Sequence, residues 1–198
     1  MTKRIIPDQC LGAIIDVQEF FLAQLDESLR AAVETSIGNL ARLLGYFKIP
    51  LLVTLERPLD HKGSLPRAIG AQLNDLAHIY EKDFFDLIKE RKIRDCLRGL
   101  QKKQVIIAGC ETDVCVLQSC LGFLDLGYEV FVVEDLIFSS ARNVDAAIAR
   151  MQAAGAVFLT YKTLYYELIQ AVDGGRHGAA MRAAFGPFPD DLPDQAVE

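Results

Sequence analysis

Five short apolar runs limit what this chain can fold into: LGAII at 11–15, IPLLVTL at 49–55, VIIA at 105–108, EVFVV at 129–133 and AVFL at 156–159. Each is short and reads as a strand; 105–108, rich in β-branched residues, reads as one buried on both faces, and 11–15 as another buried strand. Between them the apolar residues recur at helical spacing. Leu29, Val33, Ile37, Leu40, Leu43 and Leu44 form one stripe, and Val116, Leu117, Cys120, Leu121 and Leu124 form another. Further helices are expected over 88–100, which is basic and has Gly99 near its end, over 141–154 behind a Ser139 or Ser140 cap, and over 163–172. Strands alternating with helices predict a three-layer α/β/α Rossmann-like fold with a mainly parallel sheet of five or six strands. At 198 residues one domain over 1–198 is expected. The stretch 56–83, punctuated by Pro58, Gly63, Pro66 and Gly70, breaks the alternation and reads as a lid or site wall, or else as a surface embellishment. Gly174, Gly175 and Gly178 suggest a hinge, and the Pro- and Asp-rich tail 186–198 a mobile end.

Composition excludes several function classes. A net charge of −6 argues against nucleic acid as a general partner. Every apolar run is too short to span a bilayer, so no membrane partner is expected. The first residues lack the apolar stretch of a secretory signal, and a cytoplasmic location is expected. The five cysteines, an odd number with no C-x-x-C pair, suggest reduced thiols rather than disulfides or structural zinc; a redox pair between Cys110 and Cys115 is the one alternative.

In such a fold, ligands bind outside the carboxyl ends of the strands. Asp16, Cys115 and Asp135 all stand at strand exits. Gly109 ends its strand, Thr112 stands where a helix N-cap belongs, and Cys115 falls about three residues into the helix. The positive end of a helix favours a thiolate there, which predicts a lowered thiol pKa. Spacing alone leaves Cys115 open between a reactive thiol and an inert buried one. None of His61, His78 and His177 follows a strand, so a Cys–His pair is disfavoured. Asp16 could take the thiol proton and Lys82 could stabilise the thiolate; equally, Asp16 could cap a turn and Lys82 lie on the surface. Asp135 reads as an acid satisfying amides at a strand end. No G-x-G-x-x-G follows the first strand, against a nucleotide-binding dehydrogenase.

Three separated motifs give a sharper reading: D-x-Q-x-x-F in Asp16, Gln18 and Phe21; K-x-x-F in Lys82 and Phe85; and G-x-x-T-x-x-C in Gly109, Thr112 and Cys115. With these, residues 10–165 resemble the isochorismatase-like cysteine hydrolases, a group that includes nicotinamidases and N-carbamoylsarcosine amidase. The resemblance implies a catalytic triad of Asp16, Lys82 and Cys115, a cis peptide between Cys110 and Glu111, and an oxyanion hole from the amides of Glu111 and Cys115. Phe21 and Gln18 would contact a small-molecule substrate. It implies C–N bond cleavage of an amide or carbamoyl compound through a thioester, with Asp16 moving the protons. Nicotinamidases carry a D-x-H metal pattern after their second strand. Here His61 is the lone histidine of that region, so neither metal nor other cofactor is expected. Isochorismatases proper usually have glycine at the nucleophile, and Cys115 favours the amide-cleaving side. Asp83 and Asp113 are expected to oppose activation of the thiol. A homo-oligomer, dimer or larger, is also implied. An ether or ester hydrolase on the same triad, or an inactive oligomeric binding protein, are the alternative readings.

Overall fold

The computed structural model describes residues 3–170, together with Ala180 and Ala183, which are helical. The glycine segment 174–178 and the tail 186–198 lie outside the described residues. Six parallel strands form one sheet: β1 (Cys10–Ile15), β2 (Leu51–Glu56), β3 (Ala77–Lys82), β4 (Gln104–Gly109), β5 (Glu129–Ile137) and β6 (Val157–Leu159), in the order β3-β2-β1-β4-β5-β6. The chain builds outward from β1 to β3, returns beside β1 with β4, then builds the other way.

The longer helices among the described residues are α1 (Glu27–Tyr46), α2 (Arg91–Leu100), α3 (Leu117–Asp125), α4 (Asp145–Ala154) and α5 (Tyr161–Ile169). Alternate residues of each strand point to opposite faces, which gives two cores. Helices α1 and α5 bring Ile37, Leu40, Leu44, Leu164 and Leu168 onto Ile14, Val53, Ile106 and Phe131. Helices α2, α3 and α4 bring Ile93, Leu97, Phe123 and Met151 onto Leu11, Ala13, Ile107 and Val132. Each such side chain, fully buried, stabilises the fold by about 1.5–3 kcal/mol. Among the described residues, no helix is long and apolar enough to cross a membrane.

The stretch 56–83 holds more order than its sequence suggested. It contains single-turn helices at Leu59–Lys62 and Arg67–Gly70 and then β3. That strand is an edge, exposed or half-exposed except at Lys82, so it lacks the continuous apolar run of a central strand. Helix α4 starts at Asp145 rather than 141. Ser139 and Ser140 do not cap it; their hydroxyls reach the carboxylate of Glu111 instead. Helix α5 starts at Tyr161, behind a cap from Thr160.

Candidate active site

Strand register assembles the site. Ile15, the last residue of β1, lies level with Thr54 on β2 and with Gly109 on β4, and Glu56 lies level with Lys82 on β3. Asp16, Glu56 and Lys82 therefore meet at one rim of the sheet, beside the reversal of strand order between β1 and β4. Asp16 holds φ at 51°, in the left-handed region that aspartate tolerates better than most residues. Gly109 has φ at 119°, and a Cβ there would lie 2.1 Å from the Ile15 carbonyl oxygen, so only glycine fits. The Cys110–Glu111 peptide that follows is cis. Thr112–Val116 then forms a π-helical turn leading into α3, and it carries Cys115 back over the rim.

Four side chains converge there. The Lys82 Nζ lies 2.7 Å from Asp16 Oδ2, 3.3 Å from Glu56 Oε2 and 3.5 Å from Cys115 Sγ. The Cys115 thiol donates to Glu56 Oε2 at 3.0 Å, and the Thr54 hydroxyl donates to Asp16 Oδ1 at 2.8 Å. Apart from the ion pair with Lys82, no hydrogen bond is aligned on Asp16 Oδ2. Lys62, on the turn Leu59–Lys62, holds Glu56 Oε1, and its ammonium lies 5.8 Å from the centre of the Phe21 ring. Asp16 and Lys82 are wholly buried, Cys115 is 2% exposed and Glu56 8%.

The model of the isochorismatase domain matches residues 13–163. The chain belongs to the isochorismatase-domain family. It is 31% identical over 172 residues to the secreted isochorismatase effector Isc1 of Phytophthora sojae, covering 83% of this chain and 79% of that one. The solved structure of YcaC from Pseudomonas aeruginosa, with hexane-2,5-diol and covalent acrylamide, superposes with a TM-score of 0.82 at 25% identity, over 93% of this chain and 92% of that one. YcaC from Escherichia coli, described as an octameric hydrolase of unknown specificity, superposes with a TM-score of 0.81 at 24% identity, over 93% and 91%.

Within this isochorismatase-domain scaffold, burial decides the electrostatics of Asp16 and Cys115, while neighbouring charges decide those of Glu56 and Lys82. Desolvation pushes the Asp16 carboxyl above the ordinary carboxylate range, against the pull of Lys82. Burial acts on Glu56 in the same sense. There, hydrogen bonds from Lys62 and Cys115 and the charges of both lysines outweigh it, and Glu56 is held below the usual value. Burial also opposes the charge on Lys82, but Asp16 and Cys115 more than compensate, so the ammonium persists. The Cys115 thiol is pushed up, first by burial and then by the charge of Asp16, with Lys82 pulling the other way. This reverses the lowered pKa expected from a helix start: two carboxylates and the loss of water outweigh one ammonium.

Other expectations of this isochorismatase-domain sequence also change. Thr112 is not an N-cap; it lies inside the π turn, and its amide donates to the Phe138 carbonyl. Asp83 is no neighbour of the thiol but an exposed partner of Arg57, and Asp113 accepts from Ser139. Gln18 was expected to contact substrate. It is wholly buried, and its amide joins the backbone of Glu56 at 2.7 and 3.1 Å and the carbonyl of Gly63 at 2.9 Å. It thus straps the loop after β2 to the end of β1. Phe21 is buried under Lys62, and Asp135, which lies inside β5 because that strand runs on to Ile137, accepts from the amide of Tyr161. Glu56 is the site residue that spacing missed. The available signal was an acid closing the apolar run of β2, as Asp16 closes that of β1.

Donor atoms of Asp16, Glu56 and Cys115 lie within 4.8 Å of one another, a spacing that could suit a metal ion. The Lys82 ammonium already stands among them, so a divalent ion would meet a buried positive charge instead of an open cage. His61, the lone histidine of the corresponding nicotinamidase region, lies against Phe20 with ring centres 5.0 Å apart and the planes tilted by 48°.

Proposed function

We propose that this hydrolase of the isochorismatase superfamily cleaves a C–N bond of a small amide or carbamoyl compound, with Cys115 as nucleophile and Asp16 and Lys82 completing the triad. The observation that carries this reading is the ammonium of Lys82 within 3.5 Å of both a carboxylate and a sulfur in a buried site. Such a site strengthens charge interactions and keeps bulk water from the reacting atoms.

The chemistry proceeds in two halves. Asp16 takes the thiol proton, and burial, which raises its pKa, makes it a better proton acceptor than an ordinary carboxylate. The sulfur bonds to the carbonyl carbon, and the π electron pair moves onto oxygen. Backbone amides of Glu111 and Cys115 receive that oxyanion. In support, the neighbouring amides of Thr112, Val114 and Val116 are already committed to the carbonyls of Phe138 and Glu111. The C–N bond then breaks as Asp16 protonates the nitrogen, leaving a thioester. Water gives a proton to Asp16 as its oxygen attacks the thioester. The C–S bond breaks, and the thiolate recovers its proton from Asp16. Lys82 stays charged throughout and compensates each anion in turn. No step calls for a cofactor.

The test is a panel of primary amides, carbamoyl amines and esters, with mass spectrometry to trap the acyl adduct on Cys115. Cys115→Ala and Asp16→Asn should abolish turnover. Full activity in Cys115→Ala overturns the reading. We extend to this chain the homo-oligomeric state described for E. coli YcaC. A reducing compartment such as the cytoplasm would suit five free cysteines.

A further inference from the structure

Glu56 has no part in that triad, yet it is the carboxylate that receives the hydrogen of the nucleophilic thiol. Its position in the sheet says what it faces. In the order β3-β2-β1-β4, Glu56 leaves β2 and Asp16 leaves β1, while the amides of Glu111 and Cys115 lie beyond β4. Glu56 Oε2 lies 3.0 Å from the sulfur and an Asp16 oxygen within 4.8 Å, so a carbonyl carbon bonded to that sulfur forms beside both carboxyl groups. With the carbonyl oxygen toward the amides after β4, the nitrogen can turn toward Glu56. We infer that Glu56 accepts a hydrogen bond from the leaving nitrogen, and so selects substrates with an N–H at the scissile carbonyl (primary amides, carbamoyl amines and ureas) over esters. The inference rests on Cys115 being the nucleophile.

Four further observations fit this role. Once Asp16 has taken the thiol proton, Glu56 Oε2 keeps Lys82 at 3.3 Å but loses its thiol donor, and a substrate N–H can take that place. Lys62 holds Oε1, which leaves Oε2 as the oxygen turned to the reaction. The backbone of Glu56 is fixed by the Gln18 strap and by pairing with β3, so the acceptor is held in place before substrate arrives. Glu56 is also held ionised by its neighbours, as an acceptor must be. Protonation by Asp16 makes the leaving nitrogen more positive, and that charge forms beside the Glu56 carboxylate. An ester oxygen in the same place brings lone pairs against the carboxylate and does not replace the donor that the thiol gave up, a loss that polar sites penalise strongly.

The test needs no knowledge of the natural substrate. Alkylation of Cys115 is followed by mass spectrometry with iodoacetamide and with methyl iodoacetate, each rate divided by that for glutathione. Removing the charge of Glu56 changes the thiolate fraction, but both reagents feel that change equally, so their ratio isolates recognition of the N–H. The normalised amide-to-ester ratio should be about 10 or more in the native protein and fall to within about twofold of one in Glu56→Gln. A ratio near one in the native protein, or one unchanged in Glu56→Gln, overturns the inference. Cys115→Ala separates the two readings: if it still hydrolyses the amide panel, the triad itself is wrong. If it is inert while the ratio stays flat, only the role of Glu56 falls.

Discussion

Lys82 balances the site at the scale of single residues. Its buried ammonium touches two carboxylates and a sulfur, and each of those groups depends on it for compensation. Lys82→Met keeps the volume but strands Asp16 and Glu56. Breaking a buried ion pair this way should destabilise the fold by about 3–5 kcal/mol, readable in urea unfolding, as well as abolish turnover. Asp16 gives a pH signature. Burial raises its folded pKa above the unfolded value, so the native state favours the protonated form. Its contribution to stability is complete below the ordinary aspartate value of about 3.9 and is lost as pH rises through the raised folded value. Thermal unfolding from pH 3.5 to 8 should show this decline, and Asp16→Asn should flatten it. An Asp16→Asn profile that still parallels the native one would show that another group titrates there. Glu56 has the opposite sign: held low, it adds stability above the ordinary glutamate pKa and loses it as pH falls through its folded value.

Among the elements, the end of β4 sets the geometry. Gly109 lies against the Ile15 carbonyl at a backbone angle closed to other residues, and the π turn that follows places Cys115 above Lys82. Gly109→Ala combines left-handed strain with a backbone clash, and a loss of about 2–4 kcal/mol is expected in chemical denaturation. A loss under about 0.5 kcal/mol would mean the β1–β4 contact yields easily, as ordinary surface sites do. The Gln18 strap works in the same way between β1 and β2. Its amide is hydrogen-bonded to the backbone of Glu56 and Gly63, so Gln18→Ala should lower kcat more than it raises KM in the amide panel, by letting Glu56 drift. A rise in KM alone would return Gln18 to the substrate pocket.

For the whole molecule, two cores on one sheet explain how residues a hundred positions apart can meet. They also leave apolar surface: Ile79 on the edge strand and Phe84 and Phe85 just past Lys82 are about half exposed. If copies associate through this rim, light scattering will give a mass that is a multiple of 21.9 kDa, and Phe84→Glu with Phe85→Glu will reduce it toward one unit. A native mass of one unit would rule out the homo-oligomer. Much of this architecture was legible in the residues. The five apolar runs became β1, β2, β4, β5 and β6; the first four are inner strands whose burial leaves an unbroken local signal, and β6, at one edge, keeps apolar side chains that are at least half-buried. The other edge strand, β3, left none, since most of its side chains meet water and polar residues interrupt its run. Asp16, Lys82 and Cys115 were nameable from strand exits and motif order. Glu56, the direction of the Cys115 pKa and the structural use of Gln18 were not. What the sequence determined by itself is which segments are buried and where each one ends, because burial pattern is a local property of neighbouring residues. What only the tertiary structure decided is which ends face one another: that depends on strand register and on the loss of water when four polar groups are enclosed together, and both arise between segments distant in the chain.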